Sequence, residues 1–341
     1  MILSFIFLAL VWILPIKGKM VCEQREQSQL LKFVASLIVV VGHEACFYGV
    51  HNETFMRETG LGAFCVSFFL FMSGYGLLYS FVKKQQRLSW RWLLARMVKL
   101  VVPALTAMAL YVIAETVVGK EVNWSKLLTY GFVSDTNLRY GWYVSEIIVL
   151  YIAFFAFYRY LSIRRSTILL SLAIGVAATV MVIMKCAIWY VLGLPCFVLG
   201  LLLAKCDVEG KTILNVHLSK LQIKLLLSVA VVMFFLSKDF YLVQGLLPVL
   251  DKWRFALAAK FLSNIVFIVV VTYVLMRQPV CKSMVNRGGY FYEVYLVQGA
   301  TLLVCRELIT NDWLFVMLGL LCTIIVAKGM SMVNTWIVKR F

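Results

Sequence analysis

From residue 30 to residue 337 the chain repeats one pattern: a long apolar run, a short polar break, then another apolar run. The runs are 30–50, 61–82, 97–118, 141–158, 166–184, 187–204, 222–237, 257–276, 290–305 and 313–337. A stretch of ~20 apolar residues, rising ~1.5 Å per residue as a helix, crosses ~30 Å of hydrocarbon. Lipid offers the backbone no hydrogen bonds, so only helices or closed barrels span it, and these runs are far too long for barrel strands. Composition agrees: the chain is 63% hydrophobic and 14% charged, against roughly 45–50% apolar residues in soluble domains. The expected fold is an all-α polytopic transmembrane bundle with ten core spans. One membrane domain, 26–341, follows a hydrophobic segment and short polar linker at 1–25. Leu194-Pro195 interrupts the sixth span. No internal repeat or low-complexity segment is visible.

The charges orient such a bundle. Breaks that would share one side read KKQQRLSWRWLLAR, RYLSIRR, RQPVCKSMVNR and KRF, whereas the opposite breaks, HNETFMRETG and RELITND among them, hold most of the acids. By the positive-inside rule the basic side is cytoplasmic, and both ends of the ten-span core lie there. The net charge of +17 follows from these loops beside anionic lipid and requires no nucleic-acid partner. The expected location is the inner or plasma membrane of a bacterium.

The opening MILSFIFLALVWILP has the length of a signal-peptide core but lacks a positive leading region and a small-residue cleavage site. It reads as an eleventh helix, as an extension ahead of a start at Met20, or as a processed or interfacial segment. The nine cysteines form no CxxC, and the histidines at 43, 51 and 217 have no ligand spacing. Neither a disulfide framework nor a metal site is expected.

Within LIVVVGHEACFYG, residues 37–49, His43 and Glu44 interrupt an apolar run. An ionisable side chain at that depth is costly and faces the bundle interior or a water-filled cavity, which makes it a functional candidate; a neutral histidine bonded to a neighbouring helix is the alternative. Lys32 precedes His43 by eleven positions, almost three helical turns, so both project from one face ~16 Å apart along the axis. Glu44 points ~100° away from His43, and its role is open.

Two further stretches carry polar groups. In RWLLARMVKLVVP, Arg96 and Lys99 lie three apart on one face, where they suit phosphate groups or ordinary snorkelling to the interface. In FFLFMSGYGLLYSF, Ser73, Gly74 and Gly76 suggest close helix packing, with Ser73 a packing or hydrogen-bonding residue before a nucleophile.

QLLKFVASLIVVVGH, FFLFMSGYGLL, RWLLARMVKLVVP, GWYVSEIIVLY and GGYFYEVYLVQGATLL occur in the order and approximate spacing that resemble the acyltransferase 3 family of membrane O-acyltransferases. The resemblance covers roughly residues 26 to 337. Where that family carries an arginine, ten residues and a histidine, this chain has Lys32 and His43. Gln29 stands for an acid, Arg96-Met97-Val98-Lys99 for an Arg-x-x-Arg pair, and Gln298 for a histidine, while Pro103 falls one residue later than usual. Lysine supplies the charge of arginine without its planar fork.

The resemblance implies transfer of an acyl group, most often acetyl, from cytoplasmic acyl-CoA to a hydroxyl of a glycan or lipid-linked saccharide. Acyl-CoA is then a donor substrate, no cofactor is held permanently, and the lipid bilayer is the remaining partner. Neutral imidazole suits proton removal near neutral pH, so His43 becomes the general base or a transient acyl acceptor. Lys32, Arg96 and Lys99 would hold the CoA phosphates. Trp142, Tyr143, Glu146, Tyr292, Glu293, Tyr295 and Gln298, with Ser73, would line the acceptor side. A transporter or flippase of lipid-linked saccharides would show a similar number of spans with buried His, Lys and Glu, and forms the alternative reading.

Overall fold

The computed structural model describes residues 24–48, 50, 61–84, 88–122, 124, 141–210, 219–238, 252–275 and 288–340. Among these residues the chain is helical, in the order α1 (Gln24–Phe47), α2 (Leu61–Lys83), α3 (Trp90–Val117), α4 (Trp142–Tyr160), α5 (Ile163–Ile183), α6 (Trp189–Leu192), α7 (Leu194–Val208), α8 (Lys220–Lys238), α9 (Lys252–Leu275), α10 (Phe291–Leu308) and α11 (Asp312–Val338), with a single 3-10 turn at Gly288–Tyr290. Each of the ten expected apolar runs coincides with helix, the sixth as the pair α6 and α7. The opening segment, His51, His217 and several expected loops lie outside the described residues.

Ten spans is nevertheless more than the helices establish. Among the described residues, 6 are long and apolar enough to cross a membrane: Gly62–Lys83, α3, α4, α5, Trp189–Val208 and α11. The expected ninth span, α10, falls short because Glu293, Gln298, Arg306 and Glu307 lie within its 18 residues.

Local chemistry sets several helix ends. Ser89 caps α3 by accepting from the Trp92 N–H at 3.2 Å, and Asn311 caps α11 by accepting from the Leu314 N–H at 3.1 Å; both satisfy donors that a helix start leaves without partners. At the turn between α4 and α5, the buried Ser166 hydroxyl donates toward the carbonyls of Phe157, Leu161 and Ser162.

The chain divides into two compact units. One comprises residues 1–29, 67–86 and 171–286. Its core is a close approach of α2 and α7. A side chain added at Gly74 would strike the Phe197 carbonyl, and one added at Gly200 would strike the Phe71 carbonyl and the Tyr75 amide. Small residues here let two backbones meet, and in lipid such contacts replace the water-driven association of soluble helices. The packing expected of Gly74 is therefore present, whereas Gly76 has nothing within 4 Å. The break in the sixth span falls at Gly193. The Cys196 amide bonds the Gly193 carbonyl at 3.0 Å, so Leu192 loses its usual helical partner. Asn264 of α9, only 2% exposed, donates its side-chain amide to that Leu192 carbonyl at 3.4 Å.

The other unit comprises residues 30–66, 87–170 and 287–341. Here α10 packs against α3 and α11, α11 against α3, and α3 against α4. Every residue of α10 from Glu293 to Ala300 is buried. That stretch is apolar on all sides but for Glu293, Gln298 and the Tyr295 hydroxyl, which suits a central place, and Glu293 and Gln298 need partners from neighbouring helices.

Candidate active site

His43 and Lys32 share α1, an uninterrupted helix, so the ~16 Å separation along one stripe follows from helical rise. The His43 ring comes from α1 and meets α10: its Nδ1 lies 3.0 Å from Oε1 of Gln298. The orientation of Gln298 is fixed by its other end, since Nε2 donates to the Tyr295 carbonyl at 2.8 Å. An amide oxygen only accepts, so His43 Nδ1 is the N–H donor of this pair and Nε2 carries the lone pair. Gln298 is wholly buried, which removes water as a competing partner and makes that assignment stable.

Glu293 lies one turn and a half earlier on α10 and is held by α11. The Asn334 side-chain amide donates to Glu293 Oε1 at 3.4 Å, while Asn334 Oδ1 accepts from the Thr106 hydroxyl at 2.8 Å. Three helices therefore join through Thr106, Asn334 and Glu293. Tyr292 donates its hydroxyl to the Leu100 carbonyl at 3.2 Å. Nearby Pro103 lacks the N–H that would bond the Lys99 carbonyl, so this stretch of α3 has fewer partners of its own.

Tyr295 is buried and meets Tyr143 of α4 edge-to-face, with ring centroids 5.2 Å apart; Tyr143 in turn meets Trp142 at 6.3 Å. These pairs are favourable aromatic geometries and connect the start of α4 to the middle of α10. Glu146, one turn along α4 from Tyr143, has both carboxylate oxygens buried without a hydrogen-bond partner among the described residues.

Lys32 places its ammonium 5.2 Å from the centre of the Phe291 ring, at the start of α10, and takes part in no ion pair among the described residues. Arg96 stacks over Trp92 at 5.3 Å, and Lys99 is exposed.

Ser73 belongs to the other compact unit, half-buried in α2 beside Gly74. Glu44 is buried, and its carboxylate, also without a hydrogen-bond partner among the described residues, reaches α11: a side chain at Gly319 would come within 2.8 Å of Glu44 Oε1. That glycine makes the room Glu44 occupies.

Sequence reasoning missed Asn334, Thr106, Tyr111 and Tyr48. Asn334 is a polar residue in an apolar helix, a signal that was available. Tyr48 donates to the Gly299 carbonyl at 3.0 Å, and Tyr111 fills the space a side chain at Gly299 would need. Both fix the turn that follows Gln298, and neither has a sequence signature. Among the described residues no group of His, Cys, Asp and Glu has the arrangement of a metal site.

The profile of the acyltransferase 3 family, described as an acyltransferase domain, matches residues 26–331. Comparisons with curated proteins and with solved structures give no significant match. The matched region takes in His43, the start of α3, the start of α4 and the Tyr292–Gln298 segment described above. The chain belongs to the acyltransferase 3 family, and its apolar, spanning-length helices make it a membrane acyltransferase.

Proposed function

We propose that the protein moves an acyl group, acetyl in the simplest case, from cytoplasmic acyl-CoA to a hydroxyl of a glycan or lipid-linked saccharide. The observation that carries this reading is the His43–Gln298 bond at 3.0 Å. It leaves Nε2 as the basic atom of an imidazole inside a membrane acyltransferase.

A hydroxyl attacks a thioester slowly unless its proton is removed as the bond forms, and neutral imidazole is matched to that task. His43 Nε2 takes the proton, the acceptor oxygen bonds to the thioester carbonyl carbon, and the carbon–sulfur bond breaks. The leaving thiolate recovers the proton from the imidazolium, giving the ester and free CoA. Gln298 keeps Nδ1 protonated throughout, so the positive ring that forms midway is directed and partly stabilised by a carbonyl dipole. In the alternative order Nε2 attacks the thioester itself and passes the acyl group on.

Lys32, Arg96 and Lys99 are the cations suited to the CoA phosphates, on the side that the charge rule places in the cytoplasm. Glu146, whose two oxygens have no hydrogen-bond partner among the described residues, is suited to accept hydrogen bonds from acceptor hydroxyls, and Trp142 and Tyr143 beside it supply aromatic surface for a sugar ring.

The test is mass spectrometry of envelope glycans and lipids from cells lacking the protein, complemented with wild type or His43→Ala at matched membrane abundance. An acyl mass increment restored by wild type and absent with His43→Ala is expected. Unchanged acylation with altered amounts of a glycan precursor, insensitive to His43→Ala, would overturn the proposal in favour of transport.

A further inference from the structure

One charged group in the second unit has no assigned task. Arg159, near the end of α4, holds its guanidinium carbon 5.3 Å from the Trp90 ring, 5.2 Å from Phe155 and 5.4 Å from Tyr160. Trp90 and Phe155 themselves lie 4.8 Å apart, so the start of α3 and the end of α4 form one aromatic clamp. Within it Arg159 Nη1 is buried, and among the described residues it makes no hydrogen bond and Arg159 enters no ion pair. Ring contacts of this kind hold a guanidinium through its charge and leave its remaining N–H groups to donate to an anion.

The surroundings specify that acceptor's charge. Residues 83–114 and 147–170 contain no Asp or Glu, while Arg91, Arg164 and Arg165 lie in the same stretches and are exposed. No protein carboxylate close in sequence answers this charge. The surroundings also specify where the anion comes from. Trp90 is 66% exposed, Leu94 63% and Tyr160 75%, and the exposed apolar surface continues along both helices through Leu105, Val149 and Ile152. Exposed apolar residues on spanning helices are suited to lipid, and Trp, Tyr and Arg are the residues that gather at a membrane interface.

We infer that Arg159, clamped by Trp90, Phe155 and Tyr160, binds the headgroup phosphate of an anionic phospholipid, with Arg91, Arg164 and Arg165 adding charge around it. Simple snorkelling would need only a long cationic side chain; three rings around one guanidinium carbon suit the delocalised, weakly hydrated cation of arginine rather than the compact ammonium of lysine.

The experiment is native mass spectrometry of the full chain in detergent, titrated in parallel with dioleoylphosphatidylglycerol and dioleoylphosphatidylcholine. Wild type is expected to retain phosphatidylglycerol in preference. Arg159→Ala should reduce that retention about fivefold, the scale of one surface cation beside anionic lipid, and leave phosphatidylcholine retention unchanged. Arg159→Lys, which keeps the charge, and Trp90→Leu, which keeps the arginine, should each lower it too; they decide the matter if Arg159→Ala does not fold. Phosphatidylglycerol retention equal to wild type in all folded variants would overturn the inference. So would competition by coenzyme A for phosphatidylglycerol together with loss of coenzyme A binding in Arg159→Ala, which would assign the clamp to the nucleotide.

Discussion

His43 of α1 and Gln298 of α10 are 255 residues apart in sequence and meet at 3.0 Å. If that bond sets the imidazole tautomer, Gln298→Leu should lower kcat about tenfold, the scale of one lost buried hydrogen bond, with the KM for acyl-CoA unchanged. Steady-state kinetics on purified protein would check this, and an unaltered kcat would remove Gln298 from the mechanism.

Gly299 adjoins that bond, and a side chain there would fall on the Tyr111 hydroxyl. Gly299→Ala is expected to destabilise the protein by about 1–3 kcal/mol through overpacking. Tyr111→Leu in the same chain should recover part of the loss. Thermal unfolding in detergent reads both, and a double variant no better than Gly299→Ala would show that the crowding arises elsewhere.

Asn334 serves Glu293 and Thr106 at once. Asn334→Leu strands a buried carboxylate oxygen and should cost about 1–3 kcal/mol. Combined with Glu293→Met, the losses should fall short of their sum by roughly 0.5–3 kcal/mol, as groups in one network do. Simple additivity across the unfolding cycle would mean that the two side chains act independently.

Lys32→Ala should raise the KM for acyl-CoA roughly tenfold, the loss of a charged hydrogen bond, and leave the KM for an acyl-pantetheine lacking the nucleotide phosphates as it was. Lys32→Arg is expected to keep donor affinity. Equal effects on both donors would place Lys32 away from the phosphates.

Glu44 offers a stability test of a different sign. Its carboxylate is buried without a hydrogen-bond partner among the described residues, a costly arrangement. Glu44→Met, similar in volume, should leave the melting temperature unchanged or raise it. Loss of acyl transfer in a stably folded Glu44→Met protein would instead bring Glu44 into the chemistry.

Several features were legible in the amino-acid order because they depend on neighbours along the chain. Apolar runs fixed where helices form, and helical spacing put Lys32 and His43 on one stripe. Gly74 and Gly76 look alike in sequence, yet only the first meets another backbone. Likewise Pro195 announced an interruption, but the break sits at Gly193, and the carbonyl of Leu192 before it is answered by Asn264 from α9.

The sequence by itself determined the helical, membrane-spanning character of the chain, its family and the histidine most suited to chemistry. Tertiary structure decided which nitrogen of that histidine is basic, which helix restrains Glu293, and which arginine is gathered among aromatic rings. The division has one physical cause. Helix formation and facing are set by groups within a turn or two of each other, whereas the partner of a buried polar side chain is set by which helices pack together. In an apolar surround that packing turns on small residues and single hydrogen bonds, which leave little periodic trace in the sequence.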